Sequence, residues 1–90
     1  METLNKYWKV SGWKIFDILD RKAHEVAVEK IGECVTANGS INYYSQLEEN
    51  EAYYLDLNYT EISDKKIEVY IWISTDRLIA TATFLFIRLK

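Results

Sequence analysis

The sequence predicts an α+β domain in which one long helix packs on an antiparallel sheet of about four or five strands. Residues 12–31 carry apolar side chains at helical spacing. After residue 33 most segments alternate apolar and polar residues, as half-buried strands do. Short polar segments separate the later strands, which favours an antiparallel meander. A chain of 90 residues is expected to form one domain.

The helix is predicted to run from residue 12 to residue 31. Ser11 is a residue type that caps first turns, and Gly32 can end a helix in a left-handed conformation. Because a helix turns about 100° per residue, its apolar side chains gather in one stripe. That stripe consists of Phe16, Leu19, Ala23, Val26 and Ala27, with Trp13 and Ile31 on one flank.

Asp20 lies inside the predicted apolar stripe, about 40° from Phe16 on the helical wheel. An unpaired buried carboxylate is costly, so it must be paired, hydrogen-bonded, protonated or facing a cavity. Asp20 is therefore either a structural residue, hydrogen-bonded to a neighbour or at the rim of a slightly rotated helix, or a carboxylate held between helix and sheet for acid–base chemistry. Asp17, one turn earlier, and His24, one turn later, complete this candidate site.

Strands are predicted at residues 34–47, 52–60, 67–74 and 78–89, and an optional short strand at 5–10 could also extend the helix. Within the first of these, an alternating strand with one apolar face is suggested by Val35, Ala37, Ile41, Tyr43 and Leu47. Asn38-Gly39 is either a hairpin turn or a bulge in one long strand.

The last two strands have clear faces. Small residues early in the final strand, at Ala80 and Ala82, predict close packing by the helix. The expected inward face of the third strand consists of Ile67, Val69, Ile71 and Ile73. Tyr70 and Trp72 lie on its other face, which is too aromatic for plain solvent surface and suggests self-association.

Composition excludes several classes of function. The net charge is −3 and no Lys/Arg cluster stands out, so we expect no nucleic-acid partner. Cys34 is the one cysteine, which rules out an intrachain disulfide, and with one histidine it does not make a closed zinc site. No signal peptide and no membrane-length apolar run are apparent, so a soluble cytoplasmic protein is expected.

Three segments together resemble a known family. Ser11-Gly12-Trp13 through Ile18-Leu19-Asp20-Arg21 is similar to a His-Gly-Gly turn followed by a helical aspartate. Residues 35–43 are similar to a strand of that family that ends in Ile-x-Tyr. Residues 66–70 and 78–84 are similar to the last two strands of that family. The chain thus resembles the hot-dog fold, and within it the small acyl-CoA thioesterases of the phenylacetate-pathway type, over roughly residues 11–89.

The resemblance implies a function and a site. Asp20 would be the catalytic general base or nucleophile toward a thioester carbonyl, and the Gly12 N–H, aided by the helix dipole, would polarise the thioester oxygen. No metal or redox cofactor would be needed. From their places on the helical wheel, Asp17 and His24 are either accessory site residues or solvated surface residues. An acyl-CoA or other acyl thioester would be the ligand. The protein would be a homodimer with sheets joined edge to edge, and the Tyr70/Trp72 face could extend it to a tetramer.

The sequence departs from the family at two positions. The family's His and second Gly are Ser11 and Trp13 here, and Asn5 is the one nearby substitute for its polar helper residue. These differences favour an alternative, a non-catalytic hot-dog module that binds an acyl or CoA group or a protein partner. A third hypothesis is a small interaction protein, such as an inhibitor or immunity protein.

Overall fold

The computed structural model describes residues 11–89. Its helix, α1, spans Gly12–Ile31, as predicted. The four strands are β1 (Cys34–Tyr43), β2 (Tyr54–Ser63), β3 (Lys66–Ser74) and β4 (Leu78–Arg88). The optional strand at residues 5–10 and the helper position Asn5 lie outside the described residues.

The four strands form one antiparallel sheet in the order β1-β4-β3-β2. Strands β2, β3 and β4 follow one another as a meander, and β1 pairs with the far side of β4. Among the strands of residues 11–89, β1 and β2 are therefore the edges of the sheet. Helix α1 packs against β3, β4 and β1 on one face, which confirms the predicted architecture of one helix on an antiparallel sheet.

The core lies between α1 and this face of the sheet. The predicted inward face of β3 is fully buried, and it consists of Ile67, Val69, Ile71 and Ile73. Ala80, Phe84 and Phe86 of β4 are fully buried as well. Phe16 of the helix meets Phe84 edge-on, with ring centroids 5.4 Å apart. The helix adds a row of buried residues, namely Ile15, Leu19, Ala23, Ala27 and Ile31.

This buried row corrects the predicted helix stripe. Its members recur every four residues, so the row moves about 40° around the helix at each step. Ile15 is consequently buried, whereas Phe16 and Val26 are only half-buried. Trp13 was expected on a flank of the stripe and instead stands in solvent, with 72% of its surface exposed.

The two ends of the helix differ from each other. Ser11 is the N-cap residue, as predicted, with an extended backbone, but its side chain makes no capping hydrogen bond. At the other end, Gly32 has a φ of 87° and its N–H donates to the carbonyl oxygen of Val28 over 2.9 Å. Gly32 ends the helix as predicted, but its ψ of −168° differs from the left-handed helical conformation that we expected. Glycine reaches this positive φ without steric cost.

Strand β1 is one continuous strand with a bulge, so Asn38-Gly39 does not form a hairpin turn. The pairing with β4 shifts between Thr36 and Asn38 and leaves Ala37 without a partner. Thr36 pairs with Phe86, and Gly39 pairs with Phe84, so both face the helix although they are three positions apart. The predicted common face of Val35 with Ile41 is therefore wrong, and Val35 is 47% exposed.

Residues 44–53 form a loop, so β1 ends at Tyr43, earlier than the predicted residue 47, and β2 begins at Tyr54, later than the predicted residue 52. Leu47 is nevertheless buried in the core. Arg77, in the turn between β3 and β4, holds this loop: its Nη1 lies 3.2 Å from Glu51 Oε2, and its Nη2 donates to the Gln46 carbonyl oxygen. Within residues 11–89, no helix has the length and apolarity needed to cross a membrane.

Candidate functional site

One edge of α1 lies alongside the edge strand β1. Three side-chain hydrogen bonds join the two elements along their length: Tyr43 to Gly12, Thr36 to Asp20, and His24 to Cys34. Their order shows that α1 and β1 run in opposite directions. This seam contains Asp20, Gly12 and His24, and it lies next to the side of β1 that has no partner strand within residues 11–89.

Asp20 is half-buried at the rim of the core. The Thr36 hydroxyl donates to its Oδ1 over 3.2 Å. On the helical wheel Asp20 stands about 60° from the buried Ala23 and about 100° from Leu19, which explains why it is not sealed beneath the helix. Thr36 uses one carboxylate oxygen, and a carboxylate offers about four lone-pair sites. Asp20 therefore keeps acceptor capacity for a water or substrate arriving from the β1 side.

Thr36 is the site residue that sequence reasoning missed. It reaches Asp20 because the bulge at Ala37 turns both Thr36 and Gly39 toward the helix. With strict alternation, a strand that points Gly39 and Ile41 inward would point Thr36 outward. The Asn38-Gly39 pair was the available signal for this bulge, but it fixed neither the type of irregularity nor its position.

Gly12 begins the helix and is solvent-exposed. The amides of Lys14 and Ile15 both donate to the Ser11 carbonyl oxygen over 3.1 Å. The amides of Gly12 and Trp13 have no intrahelical acceptor, as in the first turn of any helix, and they carry the positive end of the helix dipole. This end of α1 can therefore stabilise a negatively charged oxygen.

Tyr43 gives Gly12 a second role. Its hydroxyl donates to the Gly12 carbonyl oxygen over 2.6 Å. A Cβ at position 12 would lie 3.3 Å from Tyr43 Cζ, so glycine lets the ring approach the helix closely. Burial raises the pKa of the Tyr43 phenol, which keeps it protonated and able to donate. The contact ties the start of α1 to the end of β1.

Gly12 and Asp20 do not meet within one chain. They are separated by eight residues, which correspond to about 12 Å along the helix axis. Asp17, the other predicted acidic residue, pairs with Arg21 on the surface, with Oδ2 and Nε 3.0 Å apart. The structure therefore brings Asp20 together with Thr36 and leaves Gly12 two turns away.

His24 contacts the backbone of β1. Its Nε2 lies 2.9 Å from the Cys34 carbonyl oxygen, so this nitrogen is the donor, and its ring centroid lies 5.5 Å from that of Phe86. Cys34 is buried, and burial raises the pKa of its thiol. Cys34 is therefore a small core residue, and the contact between it and His24 runs through the backbone. Among residues 11–89 no cluster of His, Cys, Asp or Glu side chains is placed to hold a metal ion.

The opposite face of the sheet carries the predicted aromatic pair. Tyr70 and Trp72 have ring centroids 5.3 Å apart. With Leu78 and Thr81 they line a shallow groove of about 260 Å³. Because this groove lies on the face away from α1, it is separate from the seam that contains Asp20.

Solved structures share the fold of this chain. A hypothetical thioesterase from Streptococcus pneumoniae, with coenzyme A, aligns with a TM-score of 0.82 and 19% identity over 90% of this chain and 67% of its own. The fold is therefore the hot-dog fold. A Thermus thermophilus thioesterase complexed with coenzyme A and Zn has a TM-score of 0.77 and 9% identity over 92% of this chain and 68% of its own.

A hypothetical protein from Aquifex aeolicus shows the same fold, with a TM-score of 0.76 and 20% identity over 92% of this chain and 84% of its own. No protein-family model and no curated protein matches the sequence. The hot-dog fold predicted from the three sequence segments is thus confirmed by structural likeness at low identity.

Proposed function

We propose that this protein hydrolyses acyl-CoA-type thioesters and that Asp20 activates the attacking water. The observation that carries the proposal is the Asp20–Thr36 pair, a half-buried carboxylate oriented by a hydroxyl beside the open edge of β1. Two of the structural neighbours hold coenzyme A, which supports a ligand of this class.

The chemistry follows from the groups on the seam. Asp20 accepts a proton from a water molecule whose oxygen forms a bond to the thioester carbonyl carbon. The negative charge that develops on the carbonyl oxygen is stabilised by the N–H of Gly12 at the start of the helix. The carbon–sulfur bond then breaks, and the thiolate takes up the proton held by Asp20. Thr36 keeps the carboxylate aligned with the water.

The site requires two copies of the chain. A carbonyl oxygen and the water attacking its carbon lie within about 3–4 Å of each other, whereas Gly12 and Asp20 of one chain are about 12 Å apart along the helix. Two copies that join through their β1 edges, related by a two-fold axis, would place Gly12 of one beside Asp20 of the other. The second side of β1 has no partner strand among the described residues, which supports such a homodimer.

The experiment that tests the proposal compares wild type with Asp20→Asn on a panel of short, long and aromatic acyl-CoA thioesters. Removal of a general base should lower kcat by about 10²- to 10⁴-fold, while circular dichroism and the melting temperature stay close to wild type. The proposal would be contradicted by a wild type that hydrolyses no member of the panel, or by an Asp20→Asn variant with full activity.

A second candidate function is a hot-dog module that binds an acyl or CoA group without turnover. The exposed Trp13 favours it, because a bulky side chain follows Gly12 where the resembling family has glycine. Titration calorimetry with coenzyme A and acetyl-CoA separates the two functions. Binding without hydrolysis supports the module, and a monomer that binds neither ligand supports an interaction protein.

A further inference from the structure

Trp13 has the most exposed large apolar side chain among residues 11–89. Its 72% exposure exceeds the 67% of Tyr54 and the 59% of Tyr44. Tryptophan is usually well buried, because its ring has a large apolar area to remove from water. The protein therefore leaves a substantial apolar surface uncovered at this position.

Trp13 stands on the same edge of the helix as Asp20. Seven residues separate them, and at about 100° per residue their directions differ by about 20°, with an axial separation of about 10 Å. Trp13 also directly follows Gly12 in the helix, and the ring of Tyr43 lies against Gly12. The residue whose amide is assigned to the thioester oxygen thus contacts one aromatic ring and precedes a second, exposed one in the chain.

We propose that Trp13 is a specificity-determining residue, on which the apolar acyl group of the thioester packs. The inference rests on the proposed thioester hydrolysis. A carbonyl oxygen bound to the Gly12 N–H would lie about 3 Å from that nitrogen, which leaves the two substituents of the carbonyl carbon within reach of the neighbouring indole. The acyl substituent is the one that gains free energy by covering an apolar ring, since the thiol substituent continues into a polar carrier.

The size of the effect follows from the burial of methylene groups. Covering one methylene contributes about 0.8 kcal/mol, which corresponds to a factor of about four in kcat/KM. A hexanoyl group has four more methylenes than an acetyl group. Covering about half of their surface should raise kcat/KM about tenfold or more. Wild type should therefore prefer hexanoyl-CoA over acetyl-CoA, and loss of the indole should remove that preference.

The test measures kcat/KM for acetyl-, butyryl- and hexanoyl-CoA with wild type, Trp13→Phe and Trp13→Ala. We expect the hexanoyl-to-acetyl ratio to fall about tenfold in Trp13→Ala and by less in Trp13→Phe, which keeps an aromatic ring. Because the ratio is taken on one sample, it does not depend on the fraction of folded, dimeric protein. Tyr54→Ala is the matched control, since it removes a similarly exposed ring from the far edge strand.

The outcomes separate the two proposals. A wild type that is inactive on every thioester overturns the proposed hydrolysis and, with it, the role of Trp13. An active wild type whose chain-length preference is unchanged in Trp13→Ala overturns the role of Trp13 alone. A ratio that rises in Trp13→Ala would also overturn it, because the indole would then be an obstacle to the acyl group.

Discussion

Asp20 and Thr36 are 16 positions apart in the sequence. Their contact depends on the bulge in β1, where Ala37 has no partner in β4. The helical wheel drew attention to Asp20 as a carboxylate next to apolar residues. The structure places it at the rim of the core, bonded to a hydroxyl. That environment suits a base, because the carboxylate is oriented on one side and open on the other.

Thr36→Val tests the orientation of Asp20. Valine has nearly the shape of threonine without its hydroxyl, so the carboxylate would lose its donor. We expect kcat to fall about tenfold with little change in KM. Thr36→Ser keeps a hydroxyl and should retain most of the activity.

Because Thr36 is exposed, both variants should melt close to wild type. Equal activity of Thr36→Val and Thr36→Ser would show that the hydroxyl plays no part in the reaction.

At the scale of the elements, β1 must lie flat against the helix for the seam to form. Gly39 makes this possible. A Cβ there would stand 2.8 Å from Cδ1 of the fully buried Phe84 and 3.6 Å from Cζ of Phe16. The lack of a side chain at this position lets the two phenylalanine rings fill the space between α1 and the edge of the sheet.

Gly39→Ala should destabilise the protein by about 1–3 kcal/mol, because the ring of Phe84 must move within a packed core. Denaturant unfolding measures this change. Ser40→Ala is the control, since Ser40 is exposed on the other face of the same strand, and it should stay within about 0.5 kcal/mol of wild type. A Gly39→Ala variant as stable as wild type would contradict the described packing.

The loop that follows β1 depends on Arg77. The hydrogen bond from Arg77 and the backbone hydrogen bond at Glu48 lower the pKa of Glu51 below its ordinary value of 4.5. A carboxylate with a depressed pKa stabilises the fold above its unfolded-state pKa, and this contribution is lost as the pH falls through the folded-state value. The contact should thus stabilise the loop at neutral pH and vanish in acid.

Arg77→Ala should accordingly lower the melting temperature at pH 7, and the difference from wild type should shrink as the pH falls below about 4.5. Thermal melts of both proteins between pH 7 and pH 3 measure this. A difference that stays constant over that range would mean that Arg77 acts through packing alone. If the carboxylate is the partner of Arg77, the difference in melting temperature between wild type and Glu51→Gln should shrink over the same pH range.

Sequence patterns predicted most of the fold because its central elements follow local rules. The faces of β3 and β4 were readable from strict alternation, and Gly32 marked the end of the helix. The bulge at Ala37 and the loop around Leu47 were not readable, because each is set by contacts with distant residues, Asp20 and Phe84 in one case and Arg77 in the other. Trp13 was misplaced for a related reason, since the buried row shifts around the helix as it crosses the sheet.

At the scale of the whole molecule, the proposed site is incomplete in a single chain. The helix separates Gly12 and Asp20 by about 12 Å, and the seam that contains them borders β1, which pairs with β4 alone among the strands of residues 11–89. Pairing of two β1 edges would extend the sheet and bring the start of one helix near Asp20 of the second copy. Wild type should therefore be a dimer by analytical ultracentrifugation, and its specific activity should fall on dilution below the dissociation constant.

Gly12→Pro removes the proposed oxyanion donor with little disturbance to the helix. Proline is favoured at the first helical position, and the residue before a proline prefers an extended backbone. Ser11 already has φ of −69° and ψ of 158°. Gly12→Ala is the matched variant, because it adds a Cβ against Tyr43 but keeps the N–H. Gly12→Ala should lose only the activity that crowding against Tyr43 costs. Gly12→Pro should lose more, because it also lacks the N–H.

The most direct measurement combines the two defects in different chains. Asp20→Asn and Gly12→Pro are co-expressed with different tags, the mixed dimer is purified, and its thioester hydrolysis is compared with that of each parent dimer. If the site is shared, one of the two sites of the mixed dimer contains an intact Asp20 from one chain and an intact Gly12 from the other. The mixed dimer should then show about half of the wild-type activity, while the parent dimers are inactive. A mixed dimer as inactive as its parents would contradict a site built by Asp20 of one copy and Gly12 of the other.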